Sequence, residues 1–249
     1  MRPSVLIGLA CSLTLVAHLA GAACTPLGDA DDTGCQAPDK PTLKCEDGAS
    51  KAVSTLTGSL IKCNLKDSDA KFKASGDGTT FDGAGCQDTA RSKYDAKAAN
   101  LVSCPSCLDR GGLRDLATEL VNLNGGVVFC DNSGTQCGGS ACSEDSPDTG
   151  FVPPNKSIQK CEDSTAKNAS KLVAAVIKCH VKTSDAQFAS KPFDEESCET
   201  TAKGKFDTAA AKLTTCPSCL NASSQASLRD LVENLIDSNN NGAYCAQTN

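Results

Sequence analysis

Two frames of six cysteines constrain this chain more than any other feature. The first holds Cys45, Cys63, Cys86, Cys104, Cys107 and Cys130; the second holds Cys161, Cys179, Cys198, Cys216, Cys219 and Cys245. Each contains Cys-Pro-Ser-Cys-Leu, at Cys104–Leu108 and Cys216–Leu220. Residues between the cysteines also repeat. Lys44-Cys45-Glu46-Asp47 returns as Lys160-Cys161-Glu162-Asp163, and Leu113-Arg114-Asp115-Leu116 as Leu228-Arg229-Asp230-Leu231. The chain is one cysteine-stapled unit written twice, and two copies are too few for a solenoid.

Cys45 and Cys63 are 18 residues apart, as are Cys86 and Cys104. Eighteen residues make five helical turns, so both ends of each span face one way. Ala49, Ala52, Val53, Leu56 and Leu60 share that face in the first span, and Ala90, Tyr94, Ala98 and Leu101 in the second. Leu172, Val176, Ala202, Phe206, Ala210 and Leu213 repeat it, with helical rather than strand periodicity. Two such helices form an antiparallel hairpin stapled at both ends. That geometry pairs Cys45 with Cys104, Cys63 with Cys86, Cys161 with Cys216, and Cys179 with Cys198. The remaining cysteines, Cys107–Cys130 and Cys219–Cys245, are expected to tie down a third short helix in each unit. Its apolar face is Leu113, Leu116, Leu120 and Val121, or Leu228, Leu231, Leu235 and Ile236. Cys24–Cys35 and Cys137–Cys142 complete the expected bridges. The predicted fold is all-α: a polar segment over 24–43, a first unit over 44–132, a Gly/Ser/Pro-rich linker over 133–157 and a second unit over 158–249.

Seventeen cysteines in 249 residues point to an oxidising compartment. Residues 1–23, with Arg2, an apolar run from Val5 to Ala20 and small residues to Ala23, read as a secretory signal peptide. The expected location is therefore secreted, periplasmic or extracellular, with no membrane span after cleavage. The alternative is a lipid anchor at Cys24. Gly21 stands where a lipoprotein signal carries a large aliphatic residue, which favours the Cys24–Cys35 bridge. A net charge of −6 argues against nucleic acid as a partner.

Few residues suggest chemistry. Cys-Pro-Ser-Cys has thioredoxin-like spacing, but it follows a helix instead of opening one after a strand. Leu108 and Leu220 replace the histidine of a haem-attachment motif. His180 follows Cys179 where the first unit has Asn64, and it reads as a surface histidine at a helix end. Asp237–Gly242 and Asp29–Gly34 are loose matches to the opening of a calcium loop; the former has Thr248 at its twelfth position instead of Glu. No catalytic residue, metal ligand or cofactor is assigned. Lys160, Lys167, Lys171, Lys178 and Lys182 alternate steps of seven and four along one helix face, a candidate dock for an anionic polymer or lipid headgroup.

The Lys-Cys-His-x-Lys helix end, the doubled Cys-Pro-Ser-Cys-Leu and the helical spacing resemble uncharacterised cysteine-rich secreted proteins of delta-proteobacterial type. That resemblance implies no activity. The cysteine spacings differ from those of saposins and plant lipid-transfer proteins. The sequence thus predicts a non-enzymatic extracellular binding or structural protein. The alternatives are a thiol–disulfide oxidoreductase working through the Cys-Pro-Ser-Cys motifs, and a lipid or polyanion binder docking through the lysine face.

Overall fold

Six short polar side chains set where the long helices begin. Asp39, Asp82 and Asp109 accept the backbone N–H groups of Thr42, Gly85 and Gly112 at 2.8–2.9 Å. Asn155, Asp194 and Asn221 do the same for Ser157 and Ile158, Ser197 and Ser224. Each supplies an acceptor to helix-start donors that have no partner within the helix. The first three caps occupy the same repeat positions as the last three. They open α1 (Lys40–Lys73), α2 (Gly83–Ala99), α3 (Arg110–Leu123), α5 (Lys156–Phe188), α6 (Glu195–Ala210) and α7 (Ala222–Asp237); a short α4 (Gly125–Val128) follows α3. The only strands among the described residues are the antiparallel pair β1 (Thr135–Gln136) and β2 (Phe151–Val152). The chain is all-α.

The computed structural model describes residues 24–74, 81–131, 135–136 and 150–245. Residues 1–23, expected to be a signal peptide, and Cys137 and Cys142 lie outside the described residues. Among the described residues, no helix is long and apolar enough to cross a membrane.

Within each unit the two long helices form the stapled hairpin. Disulfides join Cys45 to Cys104 and Cys63 to Cys86, then Cys161 to Cys216 and Cys179 to Cys198. Both leading helices run beyond the cysteine frame. α1 has 34 residues and α5 has 33, so α5 starts inside the segment read as linker. The extra turns matter because α1 and α5 pack on each other. They run antiparallel: Gln159 bonds Asp69, and Gly58 lies beside Ser170 near the crossing. Lys40 sits over the Phe188 ring and Lys156 over the Phe72 ring, at 5.4 and 5.6 Å. These are one contact made twice with the units exchanged, the signature of an approximate two-fold axis.

The last two bridges correct the sequence reading. Cys107 pairs with Cys245 and Cys130 with Cys219, so both bridges cross between units. The reason is the length of α3. Its 14 residues span about 21 Å at 1.5 Å per residue, which puts Cys107 and Cys130 near opposite ends. The exchanged bridges place α7 antiparallel to α3, with the start of each helix tied to the segment beyond the end of the other. Two fully buried glutamates fasten the same crossings. Glu46 accepts the Cys245 N–H at 3.1 Å, and its counterpart Glu162 accepts the Asp131 N–H at 3.4 Å.

The segment over 24–43 is not a loose appendage. A Cys24–Cys35 disulfide closes it, which commits the sulfur that lipidation would use. Leu27 is buried in the first-unit core. The Thr33 and Cys35 N–H groups donate to the Asp237 and Tyr244 carbonyls, at 3.0 and 2.9 Å. Gly34, at φ 141°, lies against Tyr244, where a β-carbon would fall 3.2–3.3 Å from Tyr244 atoms. Tyr244, fully buried, donates its hydroxyl to Asp47 at 3.0 Å. The N- and C-terminal stretches therefore seal each other over the helices.

Candidate ligand groove and acidic–histidine cluster

The apolar faces predicted for the third helices meet a common space. Leu116, Leu120 and Val121 of α3 face it, as do Leu231, Leu235 and Ile236 of α7. Val53 and Ile61 of α1 and Ala169 and Val173 of α5 form its floor. Many of these side chains are only half-buried, including Val53, Leu116, Leu120, Leu231 and Leu235. The space is an open groove with a cavity of about 190 Å³. Its two ends are polar. Asn64 and Asn124 line it near one end of the antiparallel floor; His180, Asn239 and Asn240 line it near the other.

His180 corrects a second expectation. It is buried, not on the surface, because α6, α7 and the 24–43 segment converge on that end of α5. Its Nε2 lies 2.9 Å from Glu199, 3.1 Å from Asp237 and 3.4 Å from Asp32. All four side chains are at most 6% exposed. Glu195, 4% exposed, stands beside them, and its ligand atom lies within 4.8 Å of those of His180 and Glu199. Burial raises the Glu195 carboxyl to about 8, with Asp32 adding to the shift, and raises Glu199 to about 7. Burial opposes charge on His180, but Asp237, Glu199 and Asp32 outweigh it and lift the ring to about 11.

The first unit shows the same positions without charge. Aligning the frames places Asn64 at His180, Gln87 at Glu199 and Asn122 at Asp237. Gln87 Nε2 donates to Asn64 Oδ1 and to Asn122 Oδ1, both at 3.0 Å, and Asn122 Nδ2 returns a bond to Gln87 Oε1 at 3.3 Å. Amides, carrying donors and acceptors, satisfy one another. Aligning the cysteine frames and noting these three exchanges was the signal that would have found the cluster from sequence. The two loose calcium-loop matches belong to it as well, since they contribute Asp32 and Asp237.

The other candidate residues lie elsewhere. Lys160, Lys167, Lys171, Lys178 and Lys182 are all exposed. At about 100° per residue they sit roughly opposite the groove-lining face of α5. Within each Cys-Pro-Ser-Cys the sulfurs are bonded to separate, distant partners and never to each other. A dithiol–disulfide cycle within the motif would need them paired.

Comparison with protein-family models, curated proteins and solved structures finds no match to the chain.

Proposed function

We propose that this is an extracellular, disulfide-stapled binding protein whose ligand is an apolar small molecule held in the groove between α3 and α7. The observation that carries the reading is a groove of leucine, valine and isoleucine left partly open between helices that disulfides tie at both ends. Apolar side chains held half-exposed cost free energy that an apolar occupant returns, at about 25 cal/mol per Å² covered. The cavity holds one ring or a short acyl chain, since about 150 Å³ of apolar space suffices for benzene, and the open side of the groove lets the rest of a larger ligand project. Asparagines at both ends favour a ligand with a polar terminus. The cross-unit bridges support the reading because a groove pre-formed at its full width costs less to occupy than one that must be ordered. The many disulfides fit an oxidising compartment outside the cytosol.

The test uses the oxidised protein, the fluorescent probe N-phenyl-1-naphthylamine and decanoate as competitor. The expected result is saturable probe fluorescence that decanoate reverses. Val53→Phe with Val232→Phe fills the groove and should abolish binding without lowering the melting temperature. No saturable fluorescence, or equal binding by the filled variant, refutes the assignment.

A further inference from the structure

We infer that Asp32, His180, Glu195, Glu199 and Asp237 form a binding site for one divalent ion of the first transition row. This site is independent of the groove ligand.

The geometry fits metal better than hydrogen bonding alone. One imidazole nitrogen faces three carboxylates at 2.9, 3.1 and 3.4 Å, and a single N–H cannot serve three acceptors well. Donors held at roughly 2.1 Å from a common ion lie about 3.0 Å apart in an octahedron and about 3.4 Å apart in a tetrahedron. The observed separations cover that range. Glu195 supplies a second, independent indication. Both of its carboxylate oxygens are buried, and among the described residues no donor meets them in hydrogen-bond geometry; the group facing it is another carboxyl, that of Asp32. The nearby Thr183 hydroxyl is engaged by the Cys179 carbonyl. Asp32 Oδ1, also buried, faces His180 Nε2 at 3.4 Å. Asp32, Glu199 and Asp237 crowd the ring, and a divalent ion offsets more of their charge than one proton on the ring can.

The first unit acts as an internal control. The Asn64–Gln87–Asn122 network shows that the fold needs only neutral, self-satisfying amides at these positions. The second unit carries two acids and a histidine in the same places, and the 24–43 segment brings Asp32 to them. Glu233, near Glu199 and Asp237, is paired with Lys203 and is left outside the set. The donor set also selects the ion. Imidazole favours transition ions, whereas an all-oxygen site suits calcium or magnesium. His180 also lines the end of the groove, which provides a route of entry.

The experiment titrates the oxidised, EDTA-treated protein with ZnCl₂, MnCl₂ and CaCl₂ by calorimetry and follows the melting temperature. One equivalent of Zn²⁺ or Mn²⁺ should bind, raise the melting temperature and release protons, with Ca²⁺ weaker. The variant His180→Asn/Glu199→Gln/Asp237→Asn copies the first unit, so it should fold and lose the bound ion. Glu195→Gln leaves His180, Glu199 and Asp237 in place and should weaken binding by about tenfold or more; it provides the reading if the triple variant fails to fold. Absence of saturable Zn²⁺ or Mn²⁺ binding to the wild type overturns the proposal. So does binding that neither variant weakens.

Discussion

Opening the Cys130–Cys219 bridge is the most informative perturbation of the scaffold. The sequence separation of 89 residues overstates the loop it closes. With Cys161–Cys216 intact, the path from Cys130 to Cys219 runs through the second hairpin's staple and comprises only about 35 residues. Restricting a loop of that size in the unfolded chain is worth about 3.8 kcal/mol. In a protein of this size that corresponds to a fall of roughly 8–15 °C in melting temperature. The assay is thermal unfolding of Cys130→Ser/Cys219→Ser under non-reducing conditions, with thiols counted in denaturant. Because the two cysteines are each other's partners, the double variant should expose no new thiol. Had each paired within its own unit, the same variant would strand Cys107 and Cys245. Two new thiols, or a native peptide map joining Cys107 to Cys130, would refute the crossed topology. A melting temperature unchanged within a degree or two would refute the loop-entropy account.

Two further predictions concern buried charge. Burial raises the Glu162 carboxyl to about 8, so the folded chain holds a proton there that the unfolded chain releases near pH 4.5. Its contribution is present below about pH 4.5 and is lost as pH rises towards 8, by at most about 1.4 kcal/mol per pH unit. Urea midpoints of metal-free protein across that window should show Glu162→Gln with a shallower decline than wild type; parallel curves would contradict the assignment. The buried pair Lys71–Asp67 in α1 should behave as a structural unit. Lys71→Met leaves the carboxylate without its cation and should cost about 3–5 kcal/mol in chemical denaturation, whereas a loss below 1 kcal/mol would show the pair to be dispensable.

Much of the helical framework was legible because it is local. The 18-residue spacing, the alanine-rich faces and the leucines of α3 and α7 all follow from helical period, and the structure buries or lines the groove with those faces. The crossed bridges were not legible. Equivalent cysteines in the two frames are chemically alike, and only the length of α3 and the packing of α1 on α5 decide which copy a sulfur reaches. His180 was misread for a similar reason. Nothing beside it in the sequence forecasts burial; Glu199 and Asp237 come from 19 and 57 residues away. The lysines between Lys160 and Lys182 were readable as an exposed face, since exposure there follows from period alone.

The exchanged bridges bear on how the two halves can diverge. In symmetry terms the chain is a two-fold dimer written on one polypeptide. A true homodimer must alter both copies of a position with every substitution. A fused pair is free of that constraint. One half can keep Asn64, Gln87 and Asn122 as a neutral lock, while the other places His180, Glu199 and Asp237 in the same pocket. The crossed disulfides then let the neutral half support its charged twin, because neither half can open without straining the other.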